Sequence, residues 1–148
     1  MVKPSARAQS ALQTMVELAL AEGAGPVPLR DLAKDEPVSR KYLEQLAGAL
    51  HRSGLLRVAR GPRGGYELAR PAYRITAKEI IESVDGSTAL LDCLTSPASC
   101  QRTRICAART IWSRVNGVIL SVLEETTLAD LREQQRASDG GYASCYQI

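Results

Sequence analysis

Four cysteines are the only thiols in this chain, and three of them crowd together as Cys93-x6-Cys100-x5-Cys106; the fourth, Cys145, stands near the C-terminal end. Thiolates are soft ligands, suited to zinc, to iron–sulfur clusters or to redox exchange. The spacing is longer than that of a CxxC zinc knuckle. Pro97 and Ser99 keep the segment a loop, in which three sulfurs can converge. Read alone, the trio leaves a metal site and incidental thiols equally open. The first ten residues carry Lys3 and Arg7 but no apolar run, so the sequence predicts no secretory signal and a cytoplasmic protein, where structural disulfides are rare.

The second chemistry is cationic. The net charge is only +3, but it is unevenly placed. Residues 1–75 hold 12 Lys/Arg against 7 Asp/Glu, and residues 76–148 hold 7 against 9, so the halves carry +5 and −2. Between Arg52 and Arg74 lie six arginines and one acid, Glu67. A basic half points to a polyanion. Catalytic arrangements are missing: there is no Ser/His/Asp set, no paired-carboxylate site and no phosphate-cradling Walker loop. The sequence therefore predicts no enzyme. His51, the single histidine, falls near a helix end, remote from the cysteines.

The elements that must position these groups follow from periodicity. At 148 residues and 45% hydrophobic, the chain can bury one core; with no Phe, that core must be Leu, Val, Ile and Ala. No run of about 18 apolar residues crosses a membrane. Residues 5–21 read as a helix, with Ala8, Leu12, Met15, Val16 and Ala19 at intervals of three and four. A short helix over 29–34, a turn at Asp35–Glu36–Pro37 and a helix from a Ser39 cap to about Arg52 make a helix-turn-helix. Two strand candidates, 55–58 and 66–68, flank a Gly-rich loop holding Arg60 and Arg63, which is a wing. Thr76-Ala-Lys-Glu79 is a capping box opening a helix through Val84.

Residues 89–104 read as irregular. A long helix over about 104–125 carries Ile105, Ala108, Trp112, Val115, Ile119 and Val122 in a heptad-like seam. Such a seam is either a core stripe or a dimer face, and a small domain poor in aromatics favours the dimer. A short helix over 127–136 and a flexible tail over 138–148 complete the reading. The fold class expected is mainly α with a small β-hairpin wing: a winged helix-turn-helix over 1–75, and a sensor loop with dimerisation helices over 76–137.

Arg40-Lys-Tyr-Leu-Glu-Gln-Leu46, Ser53-Gly-Leu-Leu56, Arg60-Gly-Pro-Arg-Gly-Gly-Tyr66 with Leu68-Ala-Arg70, Ile75-Thr-Ala-Lys-Glu-Ile80, Asp92-Cys93 and Thr127-Leu-Ala-Asp-Leu131 occur in one order. In that order and spacing the chain resembles the Rrf-two family of bacterial winged-helix regulators, with its IscR-like and NsrR-like sensors. The resemblance implies a homodimeric transcription regulator on a pseudo-palindromic operator in double-stranded DNA. It also implies that Cys93, Cys100 and Cys106 hold an iron–sulfur cluster, of two- or four-iron type, as a redox or metal sensor.

DNA contacts are then expected from Ser39, Arg40, Lys41, Tyr42 and Gln45 at the start of the recognition helix, and from Arg60 and Arg63 in the wing. Glu44 stands where an IscR-like acid influences sequence preference. The fourth cluster ligand departs from the family pattern. Arg109 occupies the place of an IscR-like His, and Gln9 that of an NsrR-like Asp. Cys145 is the remaining donor. Two alternatives stand beside this reading: a cluster-free thiol switch on the same DNA module, and an iron–sulfur redox protein using its winged domain for protein interaction.

Overall fold

A computed structural model describes residues 3–32 and 38–146; from residue 140 onward it describes backbone only. The turn expected at Asp35–Glu36–Pro37 lies outside the described residues. Helix α1 (Ala6–Leu20) starts where Ser5 Oγ accepts from the Ala8 amide at 2.9 Å. The same hydroxyl donates to Asp85 Oδ2 at 2.6 Å, tying the start of α1 to the end of α4 (Ala77–Asp85). The short α2 (Leu29–Leu32) precedes α3 (Arg40–Arg52). Ser39 caps α3, as its sequence position predicts, by accepting from the Tyr42 amide at 3.1 Å.

Strands β1 (Leu56–Ala59) and β2 (Gly65–Leu68) pair antiparallel, with Leu56 opposite Leu68 and Ala59 opposite Gly65. Val27 adds a bridge to the outer side of Tyr66 through bonds of 2.8 and 2.9 Å. That bridge explains Gly65: any Cβ there would collide with the Val27 carbonyl. A 3-10 turn (Ala72–Arg74) leads into α4, whose capping box is complete, with Thr76 Oγ1 accepting from the Glu79 amide and Glu79 Oε2 from the Thr76 amide.

The core gathers Met15 and Leu18 of α1, Leu43, Leu46 and Leu50 of α3, Leu55, Leu56, Ile75, Ile80 and, from far along the chain, Leu128. Burying these aliphatic side chains drives the fold, as a composition without Phe requires. The architecture is mainly helical with a two-stranded wing.

The second half differs from expectation in two places, the start of α6 and the end of α7, and it decides between the two readings of the seam. The long helix, α6 (Ala107–Glu125), begins after Cys106, so Ile105 is not on it. Ile105 closes a turn with its amide on the Arg102 carbonyl at 3.0 Å, and its side chain is 82% exposed. The core-stripe reading of the seam is also overturned: Ala108, Trp112 and Val122 are exposed, and Val115 and Ile119 only half-buried. Helix α7 runs over Leu128–Tyr146, past the end expected near Arg136. Thr127 and Asp130 open it with reciprocal bonds of 2.9 and 3.1 Å, an aspartate version of the capping box. Between α4 and α6 lie only the one-turn α5 (Asp92–Thr95) and a 3-10 turn (Pro97–Ser99), neither of which buries a residue.

Candidate DNA interface and cysteine loop

The start of α3, the wing and α2 enclose a groove of about 600 Å³, whose lining includes Arg30, Arg40, Glu44, Gly61, Pro62 and Gly64. Gly61 has φ +107°, and a Cβ on Gly64 would strike the Ala59 carbonyl. The wing backbone can therefore turn and approach a ligand only with glycine at these positions. Arg40 Nε donates to Glu44 Oε1 at 3.2 Å on the exposed face of α3. Lys41 and Gln45 are exposed beside them. Tyr42 is half-buried and shares a small hollow with Arg7, Gln45 and Leu46.

The five arginines of the run that follow Arg52 sort into two kinds. Arg57 pairs with Glu67 at 3.2 Å, Arg70 pairs with Glu79 at 2.9 Å, and Arg74 lies 5.8 Å from the ring centroid of Tyr73. Arg60 and Arg63, at the exposed wing tip, have no carboxylate partner among the described residues. Cations left unneutralised beside a concave groove suit phosphate oxygens. Arg30 belongs to this set and was missed by the sequence reading. Its signal was a cation just after Pro28, at the start of the first helix of a helix-turn-helix, the helix that crosses the DNA backbone. His51 does structural work: its Nδ1 meets the Leu56 carbonyl at 2.9 Å, joining α3 to β1.

On the other side of α4, Cys93 sits half-buried in α5, and Cys100, exposed, follows the 3-10 turn. Cys106, half-buried, is the N-cap of α6, and its side chain makes no capping bond. All three are free thiols in one loop. They are not drawn into one ligand set: among the described residues no three His, Cys, Asp or Glu side chains gather as a metal site. Arg109 reaches back from α6, its Nη2 donating to the Cys93 carbonyl at 3.4 Å, while its Nε is buried without a partner. Gln9 lies exposed on α1 beside a hollow lined by Leu131 and Gln135. The Cys145 side chain lies outside the described residues.

The Rrf2 family profile, described as an iron-dependent transcriptional regulator, matches residues 5–134, from the cap of α1 into α7. The chain belongs to the Rrf2 family. Among its relatives is the HTH-type transcriptional regulator IscR of Escherichia coli, 33% identical over 135 residues, covering 91% of this chain and 83% of IscR. Among solved structures, CymR (YrzC), the global cysteine regulator of B. subtilis, superposes with TM-score 0.77 at 34% identity, covering 90% of this chain and 98% of CymR. IscR of T. potens does so with TM-score 0.74 at 32% identity, covering 90% of this chain and 88% of that one. As an Rrf2 protein the chain is a DNA-binding transcriptional regulator rather than an enzyme. No helix among the described residues is long and apolar enough to cross a membrane.

Proposed function

We propose that this regulator binds a pseudo-palindromic operator as a homodimer, and that an iron–sulfur cluster held by Cys93, Cys100 and Cys106 sets its affinity. The observation that carries the DNA reading is the groove between α2, α3 and the wing, with Arg30 in its lining and the exposed Arg60 and Arg63 next to its wing residues Gly61, Pro62 and Gly64, none of the three paired with a carboxylate among the described residues. Ser39, Arg40, Lys41, Tyr42 and Gln45 supply donors at the start of α3 for base edges and phosphates, and Arg60 and Arg63 supply them from the wing. Glu44 holds Arg40 by an i,i+4 pair, which limits the directions in which that guanidinium reaches the major groove. The dimer reading rests on α6, where Ile111, Trp112, Val118 and Val122 are exposed apolar side chains on one helix. A contiguous apolar face of this kind is an association surface. It would hold two recognition helices about one DNA turn apart, roughly 34–36 Å.

The donor set fits a cluster chemically. Three soft thiols share one loop, and Cys106 gives up no capping bond by ligating. Because the segment 92–99 buries no residue, drawing the sulfurs together disrupts no core. When bound, the cluster supplies redox and ligand-exchange chemistry at iron. The protein's own part is to hold the thiolates at the junction of α4 and α6.

A second reading, a thiol switch, is favoured by the exposure of Cys100 and by sulfurs that do not already converge. Anaerobic purification with iron and sulfide analysis separates the two. Bound iron and sulfide with visible absorption support the cluster, and colourless protein with oxidant-dependent DNA binding supports the switch. Operator titration against random duplex tests the DNA reading: no preference for any two-fold site, together with a monomer at micromolar concentration, overturns it.

A further inference from the structure

Helix α6 buries one residue, and that residue is polar: Asn116. Its Oδ1 accepts from the Leu90 amide at 2.9 Å. Two helical turns earlier on the same face, Arg109 donates to the Cys93 carbonyl. Leu90 and Cys93 bracket the one turn that enters α5, whose N-cap is Leu91. Thus α6 grips the backbone of the Cys93 turn at two points, an acceptor for its first amide and a donor for its last carbonyl. A polar group that is the one buried residue of its helix is retained at a cost unless it is bonded, so this contact sets the register of loop against helix.

The opposite end of α6 is joined to the DNA-binding module. The Ala77 amide donates to the Thr126 carbonyl at 2.9 Å, the Leu128 amide to the buried Ile75 at 2.8 Å, and Lys78 pairs with Glu124 at 3.0 Å. Ile75 directly follows the turn that leaves the wing. About ten residues of α-helix, roughly 15 Å, separate Asn116 from that joint. A rigid element fixed to the cysteine turn at one end and to the wing's base at the other has the connectivity that coupling between two sites requires.

We infer that Asn116, supported by Arg109, is the positioning residue that registers the Cys93 turn on α6 and so passes the state of the cysteines to the DNA-binding module. The inference rests on the cysteine loop being the sensor, as proposed above. When the cysteines change state, the turn carrying Cys93 shifts. With the clasp intact α6 must follow, and with it broken the turn moves alone.

The test is the ratio of operator affinities between two cysteine states, measured at one salt concentration for wild type, Asn116→Ala and Asn116→Asp. Asp keeps the acceptor oxygen that Ala removes. The states are cluster-bearing and apo protein, each checked for iron, sulfide and dimer content. In wild type the ratio is expected at roughly 5- to 150-fold. Asn116→Ala should bring it to within about 2-fold of unity while apo affinity, iron and sulfide stay at wild-type levels, and Asn116→Asp should restore most of it. A merely structural asparagine would instead lower thermal stability and leave the ratio alone.

A wild-type ratio retained in Asn116→Ala overturns the inference, as does a ratio still lost in folded Asn116→Asp. Should Asn116→Ala not fold, Arg109→Gln removes the second grip from a half-buried site, and an unchanged ratio there overturns the inference equally. Wild type purified without iron and sulfide fails the cluster reading, not the clasp; the same ratio is then taken between dithiothreitol-reduced and diamide-oxidised protein. Wild-type affinity that is equal in every cysteine state overturns the clasp as well.

Discussion

The two halves of the molecule treat their apolar side chains in opposite ways. From α1 to α4, the apolar side chains that periodicity marks as inward are buried or, like Leu12 and Val16, half-buried against the core, and Leu128 is drawn back from the start of α7 to finish it. From residue 86 to 125 the only buried side chain among the described residues is Asn116, while Ile111, Trp112, Val118 and Val122 face outward. The first half is a module that satisfies itself. On the function proposed above, the second half keeps its apolar face for a second copy of the chain along α6, and its thiols for a soft metal in the loop.

Paired substitutions separate the two halves most visibly. Leu50→Ala empties a site at 0% exposure and should cost about 2–5 kcal/mol of unfolding free energy in a urea titration. Val118→Glu, at a position 66% exposed, should leave the helical circular dichroism of the subunit in place and convert a dimer to a monomer in sedimentation. A Val118→Glu protein that unfolds as readily as Leu50→Ala would show that α6 belongs to the same core, and one that stays dimeric would remove α6 as the interface. In the loop, Cys93→Ser, Cys100→Ser and Cys106→Ser should each abolish or destabilise bound iron and sulfide. Full iron in Cys93→Ser would detach the cysteines from the contrast.

What was legible in the sequence follows the range of the interactions. The Ser39 cap, the Thr76/Glu79 box and the wing are written within four to thirteen residues, and they appear where the local pattern puts them. The Val27 bridge was not legible, because its partner Tyr66 is far along the chain and the pairing is one residue long. Asn116 was invisible for a different reason: on an amphipathic pattern a polar residue reads as solvent-facing, and only the partner amide of Leu90 turns it inward. The start of α6 was placed early because Ile105 fits the heptad, yet it is spent in a turn. The extension of α7 ran against Gly140 and Gly141, which locally read as a stop. Of the candidate site, the residue types were legible. Which arginines are free was not, since Arg57 and Arg70 find their carboxylates only in the folded chain.

That sorting gives a smaller effect within the DNA-binding half. Arg63→Ala and Arg60→Ala should each weaken binding to all duplexes and reduce the slope of log affinity against log salt by about 0.9. Arg30→Ala should do the same if the groove is occupied by backbone. Arg57→Ala, whose charge is already matched by Glu67, should change the slope by much less. Equal slopes for Arg57→Ala and Arg63→Ala would mean that the ion pairs do not decide which arginines meet phosphate.

The smallest expected effect lies within the first half, beside its joint with α6, where Glu79 both caps α4 and pairs with Arg70. Burial pushes its carboxyl upward, but the Thr76 amide, the Arg70 guanidinium and the Thr76 hydroxyl together outweigh burial and hold it below the usual 4.5. A carboxyl lowered in the folded state stabilises that state above its unfolded value, and the contribution is lost as pH falls through the folded value. Glu79→Gln keeps an acceptor for the Thr76 amide and removes the charge. At neutral pH it should cost about 1 kcal/mol or less, in the range of a single cap interaction, since the pair with Arg70 is part-exposed and screened. Urea midpoints of wild type and Glu79→Gln should therefore differ at neutral pH and converge as pH falls below the folded carboxyl value. If the gap persisted in acid, the lost stability would come from the shape of the amide and not from the charge. Glu79 would then be only a helix cap, not an electrostatic tie between the wing's base and α4.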